Sequence, residues 1–311
     1  MHFNSRFHKE IKNTSKIIDL DKIFNLDKKK EVILPLGSCF LDEFAFHLKS
    51  HKFNICSNKK FHKIINLGRN SRENGYQFYF GNFFNPLNLL NNLERIILKK
   101  WNFKKTDYVY SKEYNHYLNL YVKSRFKTQK LEDLQKHIAK MDKLLIDEIK
   151  KSTMIILCFD GTEAWIDKKT KRAWHTFYGN YFNQKCYEDK AELKVLKYND
   201  VLIIVNKIIK ILNKLGNKKK FILVNSPHQL ITTYRNQDNQ IADNYAKSTY
   251  MSVYTDIQNK NISYFPIHEI LKNFDDEKIY EKNYLYINSK TKKKIIIPYF
   301  EKLYFKKLNI S

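Results

Sequence analysis

A Gly-Ser pair directly after an apolar run is the first feature of this sequence that could carry out chemistry. Gly37 and Ser38 follow the run Val32–Leu36, and an amphipathic helical pattern, Leu41–Lys49, begins shortly afterwards. A serine at a turn from strand to helix is placed for nucleophilic attack, because a helix N-terminus stabilises a developing oxyanion. We expect the Ser38 backbone N–H to face the same space. The alternative is that Ser38 only caps the helix.

Polar side chains also follow three later apolar runs. The carboxyl ends of parallel strands meet at one edge of an open sheet, where ligands bind. We therefore expect these side chains to share one rim with Ser38. They are Thr162 and Glu163, which follow Met154–Phe159 with Gly161 before them, His228 after Phe221–Val224, and His268 after Ile262–Phe265. Gly161 itself is a candidate through its backbone.

The elements that must position these residues are strands alternating with helices. Five continuous apolar runs predict buried strands, namely Val32–Leu36, Phe53–Cys56, Met154–Phe159, Phe221–Val224 and Ile262–Phe265. Helical periodicity predicts helices at Leu41–Lys49, Pro86–Leu98, Leu131–Ile149, Val201–Leu215 and Gln240–Ile257. This alternation is typical of a doubly wound α/β fold, with a parallel sheet of about five strands and helices on both faces. We predict one domain over 1–311, with insertions near 108–122 and 165–181 and a basic C-terminal helix.

The charge raises the question of nucleic-acid binding. Lys and Arg exceed Asp and Glu by 25, which gives a basic protein and attraction to polyanions. The lysines are spread through every segment, and no nucleic-acid-binding motif is present, so we favour a diffuse charge and no specific nucleic-acid partner. A polyanion-binding protein is a third hypothesis for the function, supported by the charge alone.

Cofactors and compartment follow from what the sequence lacks. The four cysteines form no CxxC pair, and no glycine-rich phosphate loop is present, so we expect neither a metal nor an organic cofactor. The N-terminal residues have no apolar signal core, and no apolar run is long enough for a membrane span, which predicts a cytoplasmic protein.

Several segments, in order along the chain, resemble one family. Gly37-Ser38-Cys39-Phe40 resembles the naming motif of the GSCFA-domain family, although Leu41 stands where the family usually has alanine. Further resemblances run from about Val32 to about Lys290. They are Asn85-Pro86-Leu87, Gly161-Thr162-Glu163-Ala164-Trp165, His175, Ser226-Pro227 and Tyr264-Phe265-Pro266.

The GSCFA family is similar to the SGNH hydrolases, which are esterases and acyl transferases on a flavodoxin-like sheet. The resemblance implies that Ser38 is the nucleophile and that oxyanion donors come from later loops, with Thr162 in the part usually taken by an asparagine. It also implies an Asp-x-x-His pair near the C-terminus. This chain departs from that pattern, because Ile287 stands in place of the histidine and no histidine follows His268. It is therefore a divergent member by resemblance.

The missing pair leaves the general base open. His175 matches a family position, His268 lies on the loop nearest the usual base, and His228 is a third candidate. Glu163 either orients a histidine or forms only a salt bridge. The candidate catalytic residues are Ser38, His268 and His175, and the oxyanion or substrate-binding candidates are Gly37, Cys39, Gly161, Thr162, Glu163 and His228.

We expect a serine acyl hydrolase or acyltransferase with an incomplete triad, weakly active on simple esters. Its partner would be a small-molecule or glycan ester, with O-acyl groups of a glycan as the example. The alternative is a degenerate SGNH-like protein that binds a carbohydrate or a protein partner. The sequence does not define the oligomeric state.

Overall fold

The computed structural model describes residues 23–56, 83–112, 115–122, 127–175, 189–230, 232–272, 279–281 and 286–305. Its strands are β1 (Ile33–Gly37), β2 (Tyr108–Ser111), β3 (His116–Asn119), β4 (Met154–Phe159), β5 (Glu163–Asp167), β6 (Ala191–Val195), β7 (Lys220–Asn225) and β8 (Ile262–Phe265). Its helices are α1 (Cys39–Ser50), α2 (Pro86–Ile96), α3 (Leu131–Lys151), α4 (Tyr198–Leu212), α5 (Asn239–Asp256), α6 (Ile267–Leu271), α7 (Ser289–Thr291) and α8 (Ile297–Tyr304).

The central sheet contains four parallel strands in the order β1-β4-β7-β8. The register pairs Gly37 with Cys158, Phe159 with Asn225, and Val224 with Phe265. Four strands therefore end at the same edge, and the turns that follow them meet there. The four corresponding apolar runs of the sequence are confirmed as strands.

Helices cover both faces of this sheet, which explains why its strands are apolar throughout. Alternate residues of β4 point to opposite faces. Ile155 and Leu157 pack in the core with residues of α2, α4 and α5. Ile156 and Cys158 pack in a second core with α1 and α8. The α/β class is confirmed, with the sheet enclosed between two apolar layers.

The fifth predicted strand is not formed in the described part of the chain. Phe53–Cys56 makes one isolated parallel bridge, between Ile55 and Ile33. Ile33 N–H donates to Asn54 O at 2.9 Å, and Ile33 O accepts from Cys56 N–H at 2.8 Å. The next residue of β1 facing that side is Pro35, which has no N–H to continue the ladder. Residues 57–82 lie outside the described part.

Smaller elements extend from the sheet. β2 and β3 form an antiparallel hairpin within 108–122, and β5 pairs antiparallel with β6. The sequence reasoning missed β5 and β6, which flank the segment near 165–181. Residues 289–304 are helical through α7, a π turn (Lys292–Ile296) and α8, whose second residue is Pro298. Helices begin readily with proline in the first turn. No helix among the described residues is long and apolar enough to cross a membrane.

Candidate active site

Ser38 lies at the turn from β1 into α1, as the sequence predicts. It occupies the N-cap position of α1 by backbone geometry, but its side chain makes no capping hydrogen bond. Instead, Ser38 Oγ donates to Cys158 Sγ at 3.6 Å, and Ser38 is only 1% exposed. The reading of Ser38 as a side-chain cap therefore does not describe this turn.

The Ser38 backbone N–H is engaged within the sheet. It donates to Cys158 O at 2.9 Å, which continues the pairing of β1 with β4. The expectation that this N–H faces the space in front of the hydroxyl is wrong, because strand pairing takes the amide. Of the first-turn amides of α1, Leu41 N–H donates to Ser38 O at 3.1 Å, and Phe40 N–H lies at the same helix N-terminus, where an amide has no acceptor inside the helix.

At Gly37 the backbone of β1 passes very close to the backbone of β4 at Cys158. Its φ is +147°, a conformation that L side chains rarely adopt. A Cβ at this position would lie 1.8 Å from Cys158 O. Gly37 is therefore required by the packing of β1 against β4, and it supplies the sharp exit that brings Ser38 beside Cys158.

Asp160 is the residue that sequence reasoning missed. It follows β4 directly and is buried, its Oδ1 makes no hydrogen bond among the described residues, and the Ser226 and Ser38 hydroxyls lie near enough to lower its pKa. Burial raises its pKa above the ordinary value, whereas the Lys247 cation and the two serine hydroxyls partly offset that rise. A carboxylate of raised pKa beside a serine hydroxyl is placed to accept its proton.

Lys247 of α5 completes a buried polar cluster, which we call the strand-edge cluster: Ser38, Asp160, Ser226 and Lys247. Lys247 Nζ donates to His228 O at 2.8 Å and lies 3.4 Å from Asp243 Oδ1. Ser226 Oγ accepts from His228 N–H at 3.3 Å. A buried charge persists only where it is paired; the ammonium of Lys247 pairs with Asp243, and its positive charge also lowers the pKa of Asp160.

The loop after β4 contains two of the expected oxyanion donors, Gly161 and Thr162, which differ in whether a donor group is still available. Gly161 N–H donates to Phe84 O at 3.1 Å, and Gly161 O accepts from Tyr250 Oη at 2.6 Å. Gly161 therefore shapes the loop without a spare amide. Thr162 is 1% exposed, and its hydroxyl has no hydrogen-bond partner among the described residues. A buried hydroxyl without a partner is suited to bind an oxygen atom of a ligand.

Glu163 takes a structural part. Its carboxylate accepts from Tyr234 N–H at 2.8 Å, forms a salt bridge with Arg235 Nε at 2.8 Å, and accepts from the Thr233 hydroxyl. Of the two readings of Glu163, the structure shows the salt bridge. These contacts anchor the loop 232–238 against β5.

The three candidate histidines lie in different surroundings. His268 is buried on α6, and its Nε2 has no hydrogen-bond partner within the described ranges. His175 packs its ring against the Phe84 ring, with centroids 5.8 Å apart, and its backbone N–H donates to Leu120 O at 2.8 Å. His228 contacts the turn after β1, with its ring 5.3 Å from Phe40. The side-chain hydrogen bond of Ser38 goes to Cys158 Sγ and not to a histidine.

A core side chain occupies the position at which the family resemblance places the C-terminal histidine. Ile287, which stands where the resemblance places that histidine, is 0% exposed and packs in the core of the α1 face. Its neighbour Tyr286 contacts the His228 ring at 5.0 Å. Among the residues that the structure describes, no group of three or more His, Cys, Asp or Glu side chains is arranged to hold a metal ion.

Burial of His268 predicts that the folded protein loses stability in acid. Burial, followed by Lys247 and Lys272, lowers the pKa of His268 to about 3. The unfolded chain protonates this histidine near pH 6.5, so it binds more protons than the folded chain between about pH 6.5 and 3. Stability is therefore present above pH 6.5 and lost as pH falls through that window, by at most ~1.4 kcal/mol per pH unit for one histidine. Urea unfolding of wild type and His268→Gln at pH 7 and 5.5 should show a shallower loss in the variant, and equal losses would contradict this.

The fold and site define an α/β protein with a buried serine at the turn that follows the first strand, at the carboxyl edge of a parallel sheet. The GSCFA family profile matches residues 32–299, which is most of the chain. The protein belongs to the GSCFA family. No curated protein and no solved structure matches the chain.

Proposed function

We propose that this protein is an SGNH-like acyl hydrolase or acyltransferase that uses Ser38 as its nucleophile. The observation that carries the proposal is the placement of Ser38 Oγ in the strand-edge cluster, where it donates to Cys158 Sγ instead of capping α1 and lies near Asp160. The isolated bridge of Ile55 beside β1 extends the strand order in the manner of a flavodoxin-like sheet, which supports the SGNH-like fold.

The proposed reaction transfers an acyl group through Ser38. Ser38 Oγ attacks the carbonyl carbon of an ester, and its proton passes to the Asp160 carboxylate. The Phe40 N–H in the first turn of α1 and the Thr162 hydroxyl stabilise the oxyanion. The tetrahedral intermediate expels the alcohol, which takes the proton back from Asp160. Water or an acceptor hydroxyl then releases the acyl group from Ser38. Since Ser38 is 1% exposed, the substrate must displace side chains that cover it.

The substrate class is a small ester or an O-acylated glycan. Release of acetate from p-nitrophenyl acetate and from an O-acetylated glycan tests the proposal, with Ser152→Ala as a control variant. Ser152 is a buried serine before β4, at the opposite edge of the sheet. We expect slow release by wild type and by Ser152→Ala. Absence of release by folded protein would reject the proposal.

Asp160→Asn should reduce kcat for ester hydrolysis roughly 10²- to 10⁴-fold, which is the usual contribution of a positioned general base. Asparagine keeps the shape of the side chain but cannot accept the serine proton. Steady-state kinetics of Asp160→Asn, His268→Ala and His175→Ala decide among the candidate bases. Unchanged kcat in Asp160→Asn, with a strong loss in either histidine variant, would assign the base to that histidine as the sequence reasoning expects.

A degenerate binding protein is the second candidate, and one observation favours it: Ile287 fills the expected histidine position with core. Binding of an O-acetylated glycan by calorimetry, without release of acetate, would support that reading. The cytoplasmic location and the absence of a specific nucleic-acid partner stay predictions from the sequence.

A further inference from the structure

A second nucleophile lies beside Ser38. Cys39 is the first residue of α1, it is partly exposed, and it is present as a thiol. Its Sγ lies 4.0 Å from His228 Nδ1. Cys39 therefore differs from Cys56 and Cys158, which are buried and whose thiol pKa values are raised by burial.

His228 is fixed in this position from several sides. Its ring packs edge-on against Phe40 at 5.3 Å and against Tyr286 at 5.0 Å. Its backbone N–H is held by Ser226 Oγ and its carbonyl by Lys247 Nζ. The side chain is thus placed by packing and by backbone contacts, which leaves its two ring nitrogens for other partners.

The second ring nitrogen of His228 faces a carboxylate. His228 Nε2 is buried and makes no hydrogen bond within the described residues, and Glu43 Oε2 lies 3.8 Å away. Glu43 also forms an ion pair with Lys292. A proton on Nε2 would face Glu43 and leave Nδ1 as the acceptor toward Cys39. Thiol, imidazole and carboxylate therefore follow one another in the order of a nucleophile, its base and the group that orients the base.

We propose that Cys39, with His228 as its general base and Glu43 as a positioning residue, accepts acyl groups from thioesters. His228 Nδ1 takes the thiol proton as Cys39 Sγ attacks the carbonyl carbon. The carbon–sulfur bond of the donor breaks, and the leaving thiolate takes the proton from His228. Exchange of one thioester for another forms and breaks the same type of bond, so no co-reactant is required. The N-terminus of α1 favours negative charge on the attacking sulfur.

This site is separate from the proposed role of Ser38, and the experiment keeps the two apart. Full-length protein in the Ser38→Ala background is incubated with S-acetyl-N-acetylcysteamine, and acetylated peptides are mapped by mass spectrometry. We expect one acetyl group on Cys39, none in a Cys39→Ala chain, and retention of the adduct in Cys56→Ala. Acetylation confined to lysines or to another cysteine would overturn the proposal.

The rate of acetylation tests the two partners. His228→Gln should slow labelling of Cys39 roughly 100-fold, as expected for loss of a general base. Glu43→Gln, at a half-exposed site whose carboxylate also pairs with the buried Lys292, should slow it less and serves if His228→Gln fails to fold. Glu43→Asp should restore part of the rate. Equal labelling rates in wild type and Glu43→Gln, together with an unchanged rate in any folded His228→Gln, would reject the assigned roles.

Discussion

Gly37→Ala is expected to lower the free energy of unfolding by about 3 kcal/mol or more, at the upper end of overpacking effects. The new Cβ would lie 1.8 Å from Cys158 O, at a φ of +147°. Cys158 O already accepts the Ser38 N–H at 2.9 Å, and Cys158 lies on a strand paired on both sides. Neither backbone can move without breaking sheet hydrogen bonds. Urea unfolding followed by circular dichroism measures the change.

Gly161→Ala is the matched control for this substitution. Its new Cβ would meet Leu230 Cδ2 at 3.6 Å, which is ordinary van der Waals contact. We expect a change within about 1 kcal/mol. Similar unfolding midpoints for Gly37→Ala and Gly161→Ala would show that the approach of β1 to β4 is looser than described, and would remove the reason for glycine before Ser38.

Ser38→Ala should abolish ester turnover while leaving the fold intact. The substitution removes one buried hydroxyl whose hydrogen bond goes to Cys158 Sγ, so the loss of stability should be about 1 kcal/mol. Without the hydroxyl no acyl-serine can form, and the base at Asp160 has no proton to accept. Hydrolysis of p-nitrophenyl acetate, measured beside Ser152→Ala, gives the comparison. Turnover in Ser38→Ala equal to that of Ser152→Ala would return Ser38 to a structural role.

The sheet could be predicted from the sequence because its strands are apolar on both faces. Met154–Phe159 and Ile262–Phe265 are bounded as the apolar runs predict. Phe53–Cys56 is apolar except for Asn54, yet within the described residues it forms one bridge, because Pro35 interrupts donation from the neighbouring strand. Apolar pattern predicts burial, whereas a ladder also needs N–H groups from its partner. The pair β5 and β6 was missed although burial alternates along both strands, since each strand is only five residues long.

The candidate site could be predicted as a location but not as a set of partners. The carboxyl edge follows from the strand ends, and Ser38, Thr162 and His228 do lie there. Asp160 was passed over because an acidic residue before glycine is also typical of a turn. Its counter-charge, Lys247, comes from α5 and is one of many lysines in the sequence. Only the packing of that helix distinguishes the buried lysine from the solvent-exposed ones.

The assignment of Ser38 as the nucleophile depends most directly on whether its hydroxyl forms a covalent adduct with an electrophile. A fluorophosphonate probe reacts with a serine hydroxyl whose proton a neighbouring base can accept, and its site of attachment is mapped by peptide mass spectrometry on the folded, full-length protein. We predict one adduct, on Ser38, present in Ser152→Ala and lost in Ser38→Ala and in urea-unfolded wild type. An unlabelled Ser38 in folded protein, or labelling that survives Ser38→Ala, would contradict the assignment of Ser38 as the nucleophile.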